Sequence, residues 1–289
     1  MNIFSLFRSG KQKSDWTYAA PGTIWRILFS ESGKIIGECR NQERKSVSFF
    51  CLNGESGSSV WEDLTLDKPW WVGIEAVQRN TLLLHGFVKP DMPQHKQIVA
   101  FDVDTGKQRW RNDELTYWFG HSHKVYAYRD TFERRIGYAL NLQTGAIEET
   151  YDDGLEGLHQ LRRRAFDEQD AGGFRFPEVL DVRSLESSVG AMVTKEIKGK
   201  SVTGNVEFIN ERGYFLLNYY TLVAGYSVDS PIYDNHFVIF HMERKSMVFS
   251  DVLARNTKAP VPDSFFVKSP FVYFIKDYNI LAALRLWKS

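Results

Sequence analysis

The sequence AFDVDTGKQRW, residues 100–110, predicts the end of one β-strand, a tight turn and the start of the next strand. Side chains before the turn alternate between two faces, which is the period of an extended strand. Gly106 can take a positive φ, and the short side chains of Asp104 and Thr105 can hydrogen-bond to the local backbone. Trp110 then lies on the returning strand, where its large ring can pack against a neighbouring sheet.

Degraded copies of this unit recur along the chain and indicate a structural repeat, whose best-matched positions are Asp102, Thr105, Gly106 and Trp110. Residues 51–61 end in Trp61, and residues 139–149 keep Thr144 and Gly145 but have Glu149 in place of the tryptophan. Fainter copies occupy residues 193–203 and 239–249. The turns fall at positions 57, 106, 145, 199 and 245. This period of about 40–50 residues is the length of one four-stranded propeller blade.

The two ends of the chain complete the pattern. Ala283 takes the alanine position of the repeat in the last strand, and Trp16, which has no turn before it, matches the missing partner strand. We therefore predict an all-β fold, a six-bladed β-propeller of four-stranded antiparallel blades whose ring is closed by the N-terminal strand. Five blades with an insertion after residue 150 are the alternative.

The segment after residue 150 fits the repeat least well. Strands are predicted over residues 154–166, 174–183 and 189–195. A short helix over residues 155–170 is the alternative, because Leu155, Leu158 and Arg162 follow helical spacing. Residues 89–96 contain two prolines and predict an exposed loop in the second blade.

The charge composition argues against two classes of partner. The chain has 289 residues with 36 basic and 36 acidic side chains, so neither nucleic acid nor a membrane surface is an expected partner. Cys39 and Cys51 are too few for a disulfide framework, and we expect them to be buried, reduced thiols in a cytoplasmic protein. Residues 1–13 predict a partly ordered tail, and residues 14–289 predict a single propeller domain.

The unit at residues 100–110 resembles the tryptophan-docking repeat of pyrroloquinoline-quinone-type β-propellers at every fixed position, and residues 51–61 and 139–149 resemble it in part. The chain is also similar to uncharacterised bacterial propellers of unknown function. The resemblance implies the fold and not a chemistry. Quinone enzymes of that superfamily have adjacent cysteines at the cofactor, whereas Cys39 and Cys51 are not adjacent in the sequence, so no cofactor is expected.

Candidate ligand-binding residues come from the predicted inner strands and from one histidine pair. Polar side chains near a propeller axis can form a small-ligand site, and these are Arg26, Glu75, His159 and Glu207. His121 and His123 would share one face of a strand, where two imidazoles could contact a metal ion. No third ligand is evident, so no metal site is predicted, and no catalytic residue is assigned.

Two functions are therefore considered. The first is a non-catalytic interaction or ligand-binding scaffold for an unknown protein or a small polar ligand, because the sequence contains no catalytic constellation. The alternative is an enzyme or sensor with a small-molecule or metal site at the axial mouth of the propeller. An enzyme is the less favoured of the two.

Overall fold

The computed structural model describes residues 13–88, 94–152, 155–170, 173–180, 187–223, 230–259 and 264–287. The chain divides into two compact units, one formed by Ala20–Gly172 and the other by Met1–Ala19 together with Gly173–Ser289. The predicted tail lies almost wholly outside the described residues, and the single propeller domain stays a prediction.

The described residues of the first unit, Ala20–Gly172, form three four-stranded antiparallel sheets and one helix. Sheet 1 comprises β2 (Thr23–Phe29), β3 (Lys34–Asn41), β4 (Ser46–Asn53) and β5 (Ser59–Leu64). Sheet 2 comprises β6 (Val72–Gln78), β7 (Thr81–Phe87), β8 (His95–Asp102) and β9 (Gln108–Asn112). Sheet 3 comprises β10 (Thr116–His121), β11 (Lys124–Asp130), β12 (Arg135–Asn141) and β13 (Ile147–Tyr151). Helix α1 (Glu156–Asp170) follows.

The second unit contains two five-stranded sheets, in each of which one short strand extends a set of four. Sheet 4 comprises β15 (Glu178–Leu180), β16 (Val202–Glu211), β17 (Tyr214–Leu222), β18 (Tyr233–His241) and β19 (Ser246–Thr257). Sheet 5 comprises β14 (Phe174–Arg175), β20 (Phe265–Lys268), β21 (Phe271–Lys276), β22 (Ile280–Arg285) and β1 (Trp16–Ala19). Helix α2 (Ser187–Ile197) lies between β15 and β16 in sequence.

One cross-strand pair recurs in every one of these five sheets, at the position that the sequence repeat predicts. Ala100 of β8 lies opposite Trp110 of β9. The equivalent pairs in the other sheets are Cys51 with Trp61, Ala139 with Glu149, Ile239 with Phe249, and Ala283 with Trp16. A small or medium side chain facing a large one fills the space between neighbouring strands. The all-β prediction and four of the five turn-containing copies are therefore confirmed.

Tryptophans connect consecutive sheets of the first unit. The indole of Trp61 packs on Gly106 of sheet 2 and donates its N–H to Val103 O at 2.8 Å. Trp110 repeats this contact one sheet later, packing on Gly145 and donating to Leu142 O at 2.9 Å. Both glycines have a positive φ, +66° and +69°, and their missing side chains leave room for the rings.

In each sheet of the first unit, the side chain that precedes the turn of the repeat holds that turn in place. Asp102 Oδ1 accepts hydrogen bonds from the amide and the hydroxyl of Thr105, at 2.8 and 2.9 Å. Asn141 and Asn53 accept equivalent amide bonds in sheets 3 and 1. Local bonds of this kind are the reason that Asn and Asp favour turns.

The N-terminal strand completes sheet 5, as the sequence predicts. β1 pairs antiparallel with β22 in the register Trp16 opposite Ala283. Asp15 fixes the beginning of the strand, because its amide donates to Ala283 O at 2.8 Å and its carboxylate accepts from the Arg285 amide at 2.7 Å. Trp16 is buried against Tyr273 in an edge-to-face contact.

Two of the three strands predicted for the fourth blade are wrong, whereas β14 and β15 lie within the third, predicted over residues 174–183. Residues 156–170 form α1 where a strand was the first choice, so the helical alternative is confirmed. Leu158, Leu161 and Ala165 recur at helical spacing and pack on sheet 3. Residues 187–197 form α2, so neither the strand over 189–195 nor the repeat copy over 193–203 exists. Val193 and Ile197 of α2 contact the core of sheet 4.

The described residues thus form five sheets rather than the six that the first prediction requires. Cys39 and Cys51 are buried and free, as expected. Neither helix in the described part of the chain is long and apolar enough to span a membrane.

Candidate functional site

The first strand of each sheet in the first unit contains a β-bulge at a similar position. The register shifts between Ile24 and Arg26 in β2, between Ile74 and Ala76 in β6, and between Tyr117 and Phe119 in β10. The residues without a ladder partner are Trp25, Glu75 and Trp118. Bulges bend a strand and redirect side chains, and they are common beside functional sites.

The three bulged strands and helix α1 enclose a cavity of about 300 Å³. Its polar lining comes from Arg26, Glu75, Tyr117 and Arg162. The remaining lining residues are Ala76, Trp118, Phe119, Gly120, Ala165 and Phe166. A concave space with a few convergent polar groups is the usual form of a small-ligand site.

Sheet 1 holds the bulge of β6 through the backbone of Ile74. Arg26 Nη1 donates to Ile74 O at 2.7 Å, and Glu38 Oε2 accepts from the Ile74 amide at 2.9 Å. Glu38 is buried and also pairs with Arg40, whose Nε lies 2.6 Å from Glu38 Oε1. Hydrogen bonds to charged groups are stronger than those between neutral groups, so these contacts fix the backbone immediately before Glu75.

Two histidines of sheet 2 contact Glu75. His95 Nδ1 lies 2.8 Å from Glu75 Oε2 in a hydrogen bond. His85 Nδ1 lies 2.9 Å from the same oxygen in an ion-pair contact, and among the described residues neither ring nitrogen of His85 makes a well-formed hydrogen bond. The two imidazoles are stacked, with centroids 3.5 Å apart and planes 9° from parallel.

The electrostatics of this cluster keep Glu75 ionised. Burial acts to raise the pKa of Glu75, but the contacts with His85 and His95 outweigh burial and lower the pKa to about 2. Burial lowers the pKa of His85, although Glu75 acts in the opposite direction, so His85 favours its neutral form. The cluster is therefore a carboxylate beside an imidazole that is held neutral.

Arg162 brings a second positive charge to the cavity wall. Its Nε is buried and has no hydrogen-bond partner among the described residues. The guanidinium lies over the ring of Phe166, with Cζ 5.1 Å from the ring centroid. Burial raises the pKa of Tyr117, so its hydroxyl stays protonated. The two arginines outnumber the single carboxylate, and the cavity carries a net positive charge.

The structure brings two of the predicted ligand-binding residues together, because Arg26 and Glu75 line the same cavity. His159 lies exposed on α1, where its ring contacts Trp118 edge-to-face at 5.1 Å but does not line the cavity. Glu207 lies on β16 in the other unit.

His121 and His123 do not share a strand face, so that expectation is wrong. β10 ends at His121, Ser122 has a φ of +55°, and β11 begins at Lys124, which places His123 in the turn. His121 Nε2 instead lies 3.5 Å from Glu168 Oε2 at the surface. In this chain the two histidines, which are separated by Ser122, lie at a hairpin turn.

His85 and His95 were missed at the sequence level. His95 fell inside the loop predicted over residues 89–96, whereas β8 begins at this residue. His85 stands within the apolar strand β7, and a histidine in such a strand is a usable signal because an unsatisfied imidazole is costly to bury.

Comparisons with known proteins assign no function. Residues 29–110 match the family described as Domain of unknown function (DUF4905). No curated protein matches the sequence.

Solved structures with similar folds are distant. One is a member of the duf4221 family from Bacteroides vulgatus, with 11% identity, coverage of 95% of this chain and 96% of that chain, and a TM-score of 0.34. Another is the β-propeller domain of the Trilobed protease from Pyrococcus furiosus, with 9% identity, coverage of 90% and 65%, and a TM-score of 0.30. At these scores the neighbours identify neither a ligand nor a reaction.

Proposed function

We propose that the protein is a non-catalytic binding scaffold that takes a small organic anion into the cavity between β2, β6, β10 and α1. The observation that carries this proposal is the buried, unpartnered Nε of Arg162 beside the cavity that Arg26 also lines. A buried charged donor without a partner is costly, and a bound carboxylate or phosphate would satisfy it.

The rest of the lining narrows the class of ligand. Trp118, Phe119 and Phe166 give the cavity an aromatic wall, which favours a ligand with an apolar body. The volume of about 300 Å³ lies at the lower end of the range for small-molecule pockets. A compact anion with a ring or a short carbon chain fits both features.

Thermal shift with a panel of aromatic carboxylates, aliphatic carboxylates and phosphate esters tests the proposal. A ligand that binds only the folded protein stabilises it by about 2.7 kcal/mol at a hundredfold excess over Kd. Arg162→Gln should weaken binding of any hit at least about tenfold, because it removes a charge-assisted contact. Arg163→Gln is the matched control, since Arg163 lies exposed on the same helix.

A panel without a hit, or a hit that Arg162→Gln leaves unchanged, would contradict anion binding in this cavity. The scaffold would then be expected to bind a protein, and affinity purification of the full chain would be the next measurement.

An enzyme at the same position is the second candidate. It is favoured by Glu75, an ionised carboxylate in contact with two imidazoles at the cavity wall. An imidazole oriented by such a carboxylate can act as a general acid or base. Mass spectrometry of a recovered ligand after incubation distinguishes the candidates, because a binding protein returns the ligand unchanged.

We further propose that the five sheets are blades of a propeller ring closed by β1. The tryptophan contacts between consecutive sheets and the pairing of β1 with β22 support this architecture and its likeness in construction to the quinone-type repeat. The helices in residues 156–197 favour five blades over six. Two free, buried cysteines support a cytoplasmic location.

A further inference from the structure

Three side chains of sheet 2 converge in a way that anion binding does not explain. One ligand atom from each of Glu75, His85 and His95 lies within 4.8 Å of the other two. Among the described residues, this is the one group of three His, Cys, Asp or Glu side chains with that geometry. We propose that Glu75, His85 and His95 form a binding site for a divalent transition-metal ion.

The donor set has the right chemistry for such an ion. Two imidazole nitrogens and one carboxylate oxygen bind Zn²⁺ in catalytic sites that keep a fourth position open, and the same set binds other first-row ions. Metal–ligand bonds of about 2.0–2.2 Å place ligand atoms roughly 3.3 Å apart in a tetrahedral site. Glu75 Oε2 lies 2.9 and 2.8 Å from the two Nδ1 atoms, so only a small expansion is needed.

His85 supplies an independent reason to expect a ligand. It is 5% exposed, and both of its ring nitrogens lack hydrogen-bond partners among the described residues. A buried imidazole that lacks well-formed hydrogen bonds costs folding free energy. Coordination through Nδ1, which now only contacts Glu75 Oε2 at 2.9 Å, would recover part of that cost.

The absence of a side chain at Gly73 leaves room for the His85 imidazole. Gly73 is opposite His85 in the ladder, and an added Cβ would lie 3.1 Å from His85 Nε2 and 3.2 Å from Glu38 Oε2. Any larger residue there would therefore displace the imidazole or the carboxylate. The buried carboxylate of Glu38 acts on His85 through its negative charge, which favours a cation bound at this imidazole.

The bound ion would lie beside the anion cavity, because Glu75 also lines that cavity. Metal binding requires the two imidazoles to tilt, since their rings are now stacked within 9° of parallel. His95 can make this movement more easily than His85, because its side chain is 34% exposed.

Zinc titration of the chelator-treated full chain, by calorimetry and thermal shift, tests the inference. We expect one Zn²⁺ per chain and a higher Tm. His95→Ala and Glu75→Gln should each weaken Zn²⁺ binding at least tenfold. Co²⁺ provides a second readout, because it should give visible absorption bands that both variants lose.

His121→Ala is the matched control, since His121 also contacts a glutamate but at the surface, 3.5 Å from Glu168. It should bind Zn²⁺ as the unaltered chain does. Arg162→Gln should also retain Zn²⁺ binding, so failure of the anion proposal and failure of the metal proposal are distinguishable. Absence of Zn²⁺ and Co²⁺ binding, or binding that survives both His95→Ala and Glu75→Gln, would overturn the inference and leave the cluster as a hydrogen-bonded group.

Discussion

Trp110 of β9 donates its indole N–H to the carbonyl oxygen of Leu142, 2.9 Å away in sheet 3. The residue is 7% exposed, and its ring covers the turn glycine Gly145. One side chain therefore supplies both a hydrogen bond and an apolar surface to the neighbouring sheet.

Replacing Trp110 by Phe should destabilise the protein by about 2–3 kcal/mol, because Leu142 O loses its donor and the smaller ring leaves a gap. Urea unfolding followed by circular dichroism measures the change. Trp25→Phe is the control: Trp25 is 62% exposed, so its substitution should stay within about 0.5 kcal/mol of the unaltered protein. Equal effects of the two substitutions would contradict the docking role.

Gly145→Ala should destabilise the protein more than the same substitution at a turn glycine that has no close neighbour. Gly145 has a φ of +69°, and an added Cβ would lie 2.6 Å from the Trp110 ring. Gly33→Ala separates the two causes, because Gly33 has a φ of +77° but no atom within 4 Å of an added Cβ. We expect about 1–2 kcal/mol for Gly33→Ala from backbone strain alone, and about 1–3 kcal/mol more for Gly145→Ala from overpacking. Equal Tm values for the two variants would contradict this.

The ionisation of Asp102 should make the free energy of unfolding depend on pH in the acid range. Burial acts to raise the pKa of Asp102, but hydrogen bonds from Arg109 and Thr105 outweigh burial and lower it below 3.8. A depressed folded pKa adds stability above the unfolded pKa, and this contribution is lost as the pH falls through the folded value.

Asp102→Asn tests the effect, since Asn53 and Asn141 form the same turn in the sister sheets. The variant should lose about 1 kcal/mol or less at pH 7, because Asp102 is partly exposed. The difference in Tm between the two proteins should shrink as the pH is lowered below 3.8. A difference that is constant between pH 7 and pH 2.5 would contradict the assignment.

Both cysteines should be inert in the folded protein. Burial raises the pKa of the Cys51 thiol to about 12 and also raises that of Cys39. Their exposed fractions are 0% and 2%. A disulfide reagent at pH 8 should therefore react with neither thiol in the native state and with both in urea, with rates that differ by more than about a hundredfold. Fast labelling of the native chain would show that β3 and β4 open readily.

Deleting residues 1–20 should lower the Tm, because it removes β1 and exposes the edge of β22 and the ring of Tyr273. Deleting residues 1–12 is the matched control, since it keeps Asp15 and Trp16. If both truncated chains melted at the same temperature as the full chain, the N-terminal strand would contribute nothing to stability, and the closed-ring proposal would lose its main support.

The fold could be predicted wherever the repeat has a strong turn and a large partner side chain. The pairing of Trp16 with Ala283 could be predicted although the two residues are 267 positions apart, because each of them fits the same local pattern. The secondary structure of residues 150–200 could not be predicted in this way. Leu158 and Ala165 are seven residues apart, which fits a helical face, and the expectation of a fourth blade outweighed that local signal.

The candidate site could be predicted only in part. Arg26 and Glu75 could be predicted because they are polar residues in the strands that begin their sheets, and the position of a residue within a repeat can be read from the nearby sequence. His85 lies on β7 and His95 on β8, so their positions in the site depend on how these two strands pair. Register shifts in the pairing of β6 with β7 and of β7 with β8 decide which face they share, and those shifts leave no mark in the sequence.

The bulges in β2, β6 and β10 leave one residue of each strand without a cross-strand partner. A paired strand residue is constrained by its cross-strand neighbours, whereas Trp25, Glu75 and Trp118 have no such neighbour in the register. Of these, Glu75 and Trp118 line the cavity, and a change in either side chain leaves the ladder hydrogen bonds in place. Related chains could therefore keep the same sheets while binding chemically different ligands, and an engineered ligand preference is best sought at Glu75 and Trp118.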